Sequence, residues 1–233
     1  MGDLTFAITM ENDIFTVSDN NYTNGAGISV QTGELSNDDD GDFLGDWVEF
    51  CSLLPALGDE EGHTYAAWTF GQEMYTPNDI RNSMPSPDDQ PYAGILFLDS
   101  TLYARTQHYS HAWNLRLGIV GPAAHAEEVQ TKFHEWIGAD EPQGWHTQMP
   151  DEFILNVDYS LGGERLSADL GGRASCRLVP LGGASLGNYF TGVSAGMYRE
   201  LGWNLSPSVG LLSIRRGMDS FAIEDPLSRT SWS

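Results

Sequence analysis

Residues 112–120 read Ala112-Trp113-Asn114-Leu115-Arg116-Leu117-Gly118-Ile119-Val120. On an extended strand, successive side chains point to opposite faces. Trp113, Leu115, Leu117 and Ile119 therefore share one face, and Asn114, Arg116 and Gly118 the other. A charge in the middle of a long alternating strand is the informative detail. A soluble sandwich points its apolar face inward, whereas a membrane barrel turns it to lipid and keeps a polar lumen.

The same alternation recurs on both sides. Leu4, Phe6, Ile8 and Met10 oppose Thr5, Ala7, Thr9 and Glu11; Phe153, Leu155, Val157 and Tyr159 oppose Glu152, Ile154, Asn156 and Asp158. Residues 168–178 set Ala168, Leu170, Ala174, Cys176 and Leu178 against Asp169, Gly171, Arg173, Ser175 and Arg177. Trp68, Tyr75, Tyr92, Trp113, Tyr159 and Tyr189 sit near strand ends, where an interfacial aromatic girdle belongs. From pattern alone, a transmembrane barrel and a soluble β-sandwich or lipocalin-like barrel both stay open.

The reading expects an all-β, antiparallel chain with strands near 3–11, 22–32, 64–75, 92–105, 110–120, 152–161, 167–179, 187–199 and 207–215. Long loops lie at 33–63 and at proline-rich 76–91, and short turns at Gly162-Gly163 and Gly182-Gly183. One domain accounts for residues 1–233. After Arg215-Arg216 the pattern dissolves without a terminal aromatic, so the reading expects a fragment lacking its last strands.

The net charge is −22, from 33 acidic and 11 basic residues, and Lys132 is the only lysine. Nucleic acid is excluded as a partner, because phosphate binding needs a basic footprint. No apolar run reaches the roughly 18 residues of a spanning helix, so any membrane crossing must be by strands. Acidic runs such as Asp38-Asp39-Asp40 fit no EF-hand spacing and read as a solvated surface. Cys51 and Cys176 have no metal-ligand spacing, and Cys176 reads as a small buried hydrophobe on an apolar strand face.

One helix interrupts the strands. Pro122 suits a first helical turn and Gly138 the residue past the end, which predicts a helix over 122–138. Ala126, Val129, Phe133, Trp136 and Ile137 form a stripe expected to pack, with His134 at its margin beside Gln130. Taken alone, His134 reads first as a surface or helix-terminal histidine interacting with the dipole. Likewise Asn12-Asp13 and Asn24-Gly25 are ordinary turn chemistry. No HExxH, GxSxG or P-loop pattern is present.

Three islands, taken in order, carry a resemblance. They are Glu11-Asn12-Asp13 with Tyr22-Thr23-Asn24-Gly25, then Met74-Tyr75-Thr76-Pro77 with Pro91-Tyr92-Ala93-Gly94. The third is Gly118-Ile119-Val120-Gly121-Pro122, followed by Val129-Gln130, His134 and Gly144-Trp145. Together they resemble the LpxR family, outer-membrane lipid A 3′-O-deacylases of Gram-negative bacteria. The resemblance implies a monomeric twelve-stranded barrel with its site between the wall and a loop-derived helix. It implies calcium-dependent removal of the 3′-linked acyloxyacyl group of lipid A in lipopolysaccharide. It also implies His134 as general base, Asn12 and Thr23 supporting the catalytic site, Asp13 as a Ca2+ ligand and Arg81 as the basic substrate-binding residue. Imidazole titrates near neutrality and suits a base, and calcium takes oxygen ligands. The acidic chain is a departure, because it repels the phosphates of lipid A unless divalent ions bridge. Two rival readings are a non-catalytic barrel and a soluble lipid- or carbohydrate-binding sandwich.

Overall fold

A computed structural model of the chain describes residues 4–12, 24–35, 63–105, 109–163, 166–172 and 174–204. Its strands are β1 (Thr5–Asn12), β2 (Asn24–Gln31), β3 (His63–Tyr75), β4 (Ala93–Arg105), β5 (Ser110–Val120), β6 (Glu152–Gly162), β7 (Leu166–Gly171), β8 (Ala174–Gly187) and β9 (Gly192–Trp203). A 3-10 turn (Pro122–Ala124) and helix α1 (Ala126–Ile137) lie between β5 and β6. Every strand pairing is antiparallel. β6 and β7 both pair with β8, along its second and first halves, and so act as one long strand interrupted after Gly163. The path is an up-and-down meander, open among the described residues between β1 and β9.

The faces settle which way the alternation points. Phe6, Ile8, Met10, Ile28, Phe70, Leu117, Phe153 and Leu155 are exposed, Ile8 at 77%. Ser29, Thr69, Glu73, Asp99, Asn114, Arg116, Asn156 and Asp158 are buried. An apolar outside around a polar inside is the inverse of a soluble sandwich and is what a lipid-facing barrel requires. Among the described residues no helix is long and apolar enough to cross a membrane.

The sheet curls. In sheet order, β3 is separated from β8 by β4, β5 and β6. Four strand spacings of about 4.8 Å would hold them roughly 19 Å apart if flat. Yet the Tyr189 hydroxyl, in the turn after β8, donates to Glu73 Oε2 on β3 at 3.1 Å. Only a curved sheet brings those side chains together.

Buried charges inside the curl are paired, as burial demands. Arg116 donates from Nε to Asp99 Oδ1 at 2.8 Å and from Nη2 to Asp99 Oδ2 at 2.9 Å, and its Nη1 reaches Glu73 Oε1 at 3.1 Å. Tyr75 and Tyr189 donate to the other Glu73 oxygen. The guanidinium lies 4.0 Å from the Phe97 ring centroid. Glu73 and Asp99 are 0% exposed and Arg116 3%. This plug of paired groups fills the interior here, which counts against a pore.

Several expectations change. Residues 167–179 form a hairpin of β7 and β8, turning through Gly171 (φ 89) and Gly172 (φ 61), both left-handed. Gly182 and Gly183 are not a turn but lie within β8, opposite Leu161 and Ser160. The turn falls later, at 188–191, where Asn188 accepts from Leu155 N and donates to the Phe153 carbonyl. The expected strand at 207–215 lies outside the described residues. Of the girdle aromatics, Trp68 and Trp113 pack against Leu102 on the outer face, and the Tyr159 ring lies tilted beside Trp113 with its centroid 4.7 Å away. Tyr75 and Tyr189 instead turn inward, because their hydroxyls find the Glu73 carboxylate, and Tyr92 is fully buried. The Cys176 thiol is half-buried rather than enclosed.

Candidate functional site

The expected helix over 122–138 breaks into two pieces at His125, whose φ of 56 resets the chain between the 3-10 turn and α1. Glu127 and Glu128 occupy the first turn, where the dipole favours acids. Gly138 closes the helix in the left-handed conformation, returning its N–H to the His134 carbonyl.

α1 docks on the outer face of the wall. At Gly94, on β4, an added Cβ would collide with the Ala126 Cβ, so glycine is what lets the helix begin against the strand. Gln72 Nε2 donates to the Ala124 carbonyl at 2.6 Å, and Gly121 N to the Gly94 carbonyl at 2.9 Å. Met74, Tyr92, Ala126 and Trp145 form the apolar cluster beneath. Inside it, Trp145 Nε1 donates to Gln130 Oε1 at 2.7 Å, so the buried indole N–H is satisfied.

The packed face is therefore Ala126 and Gln130, with Phe133 and His134 half-buried. Of the apolar stripe expected to pack, Ala126 does and Phe133 does in part, but Val129 and Ile137 are exposed, and Trp136 is 82% exposed. A buried glutamine and an exposed tryptophan reverse the simplest reading of an amphipathic helix. The reason is local, since the Trp145 indole supplies Gln130 with a partner and no wall residue covers Trp136.

His134 sits one turn before the C-cap. Its Nδ1 lies 2.5 Å from the Asp140 carbonyl oxygen. A carbonyl only accepts, so Nδ1 is the donor in this contact and Nε2 is the nitrogen it leaves uncommitted. Asp140 also faces Arg81, whose Nη1 is 3.9 Å from Asp140 Oδ2. Arg81 is held nearer by Asp79, through Nε at 3.1 Å and its own backbone N at 3.2 Å. That side-chain hydrogen bond with Arg81 holds the exposed Asp79 carboxyl below the ordinary carboxylate range. The loop after β3 and the segment after α1 are joined where Gln143 N donates to the Ile80 carbonyl, which also accepts from the Tyr92 hydroxyl within the loop. Burial pushes the Tyr92 hydroxyl pKa up. Thus the fold brings His134 and Arg81 to one corner.

Asn12 ends β1 opposite Asn24; Asn24 stands opposite Met74, and Met74 opposite Gly94. That single cross-strand row links Asn12 to the point where α1 begins, roughly 14 Å away over three strand spacings. Asp13 and Thr23 lie outside the described residues. Among the described residues no three His, Cys, Asp or Glu side chains converge. Gln72 and Asp140 are site-building residues that no motif singled out. Gln130 and Trp145 belonged to the resembling islands, but their pairing depends on the loop's return to the wall.

A family model described as "Outer membrane protein LpxR" matches residues 2–233. No curated protein matches the chain. Among solved structures, LpxR from Salmonella typhimurium superposes with a TM-score of 0.65 at 19% sequence identity. The match covers 85% of this chain and 63% of that one, so the chain spans less than two thirds of the solved relative's length. At that identity the likeness is one of fold.

Proposed function

Since the chain belongs to the LpxR family of outer-membrane proteins, we propose that it is a lipid A 3′-O-deacylase acting at the outer membrane as a monomer. The observation that carries the reading is His134, its Nδ1 fixed by the Asp140 carbonyl, on a helix docked outside the barrel wall. A base in that position meets a membrane lipid from the side, without the substrate entering the filled interior.

The reaction is ester hydrolysis. Water attacks the carbonyl carbon of the 3′-linked acyloxyacyl ester while His134 Nε2 takes its proton. The tetrahedral oxyanion collapses, the C–O bond to the sugar breaks, and the imidazolium returns the proton to the 3′ oxygen. The products are a free acid and a 3′-hydroxyl. Asn12 and Thr23 orient the water or donate to the oxyanion. Arg81 engages a lipid A phosphate as a charge-assisted donor. Calcium, bound with Asp13 as its carboxylate ligand, would add Lewis-acid polarisation of the ester carbonyl.

Mass spectrometry of lipid A after incubation with detergent-refolded protein tests this, with calcium or EDTA and with His134→Ala alongside. The expected result is a calcium-dependent loss of the 3′-acyloxyacyl mass, abolished by the substitution. Intact lipid A after treatment with folded wild type overturns the proposal.

A further inference from the structure

The exposed flank of α1 has a definite place in the membrane. At about 100° per residue, Val129 and Trp136 project within about 20° of each other, and His134 and Trp136 about 160° apart. With Ala126 and Gln130 against the wall, the two flanks of α1 differ in kind. One carries Val129 and Trp136, with the Phe133 ring 6.1 Å behind Trp136. The other carries His134, turned toward Asp140. Exposed Glu128, Lys132 and Glu135 cover the side away from the wall, and exposed Glu127 lies beside His134 on its flank.

The height of the helix follows from β4. Leu102, packed with the outer-face tryptophans Trp68 and Trp113, lies eight residues along the strand from Gly94. That is about 27 Å at about 3.4 Å per residue, or roughly 20 Å of height at a tilt of about 40°. Membrane barrels carry an apolar band of about 25 Å between aromatic girdles. Between the two rows this wall shows exposed Phe70, Leu98 and Leu117. α1 thus begins within the far edge of that band and continues the lipid-facing surface.

We infer that α1 is an interfacial helix whose Val129–Trp136 flank is immersed among the acyl chains of the adjoining leaflet, with His134 on the headgroup side. Trp136 then supplies the aromatic anchor at this end of the barrel that Tyr75, Tyr92 and Tyr189 do not. The outer side of the helix is mostly acidic, so the attachment is apolar and does not depend on anionic lipid. The inference rests on the outer-membrane barrel and not on hydrolysis.

The test uses the full chain in vesicles of phosphatidylcholine brominated either near the glycerol end or near the methyl end of the acyl chains. Subtracting the emission of Trp136→Phe from that of wild type isolates Trp136. The expected result is loss of most of that emission with the shallow bromine label and little loss to aqueous iodide. Absence of quenching by brominated lipid overturns the inference, with iodide quenching if the flank faces water and without it if a second copy of the chain covers it. Val129→Glu, with an unchanged circular dichroism spectrum, is expected to weaken the bromine quenching and red-shift the Trp136 emission; no change in either also overturns it. Phosphatidylcholine is not the proposed substrate, so failure of the deacylase reading leaves this readout intact.

Discussion

Replacing Gly94 by alanine adds one methyl group where α1 meets the wall. The new Cβ would collide with the Ala126 Cβ. Apolar carbons rest at about 3.5–4.0 Å, so the helix must withdraw by about an ångström or more. Overpacking of this kind costs about 1–3 kcal/mol. The strand ladder is untouched, so the loss is concentrated in the docking of α1 and its bond to Trp145. A displacement of about 1 Å at a catalytic group can cost on the order of 100-fold in rate. Two assays read the effect: hydrogen exchange of the α1 amides in detergent, and deacylation followed by mass spectrometry. Gly94→Ala is expected to speed exchange across Ala126–Ile137 and to cut turnover sharply, with the sheet amides unchanged. The double variant Gly94→Ala/Ala126→Gly moves the methyl from helix to strand and should restore protection. A single variant with wild-type exchange, or a double variant no better than the single, would refute the argument that this contact sets the helix position.

Two other perturbations address the interior and the loop. Arg116→Met leaves Glu73 and Asp99 buried without their cation, and should cost about 3–5 kcal/mol in denaturant unfolding. Adding Glu73→Gln and Asp99→Asn should recover most of that loss, and no recovery would show that charge pairing is not the cause. For Asp79, Arg81 holds the folded pKa down. The stabilisation is therefore present above the unfolded value of about 3.9 and disappears as pH falls through the lower folded one. A carbon-13 titration of the Asp79 carboxyl should show a depressed midpoint that Arg81→Ala returns to the ordinary range.

How much of this was legible beforehand depended on the kind of signal. Alternation names two faces, and the charge at Arg116 and Asp158 marked one as unusual; the exposed Ile8 and Phe153 and the buried Arg116 then identified the outside. The β7–β8 hairpin escaped notice for a geometric reason. Leu166 pairs with Leu178 and Ala168 with Cys176. All four positions are even-numbered, so the alternation runs through the turn without a break. On α1 the apolar positions were visible, but an apolar side chain is satisfied equally by a protein wall or by lipid. The polar Gln130 gave no sign that an indole fifteen residues later would bury it.

By itself, the sequence determined the local chemistry: period-two strands, a helix between Pro122 and Gly138, and a histidine near its end. Backbone sterics and side-chain alternation act over a few residues, and a few residues suffice to read them. Only the tertiary structure decided which face met lipid, which side of α1 met the wall, and that Arg81 and His134 share Asp140. Those outcomes depend on groups tens of residues apart satisfying one another's hydrogen bonds and volumes, and no local pattern encodes that closure.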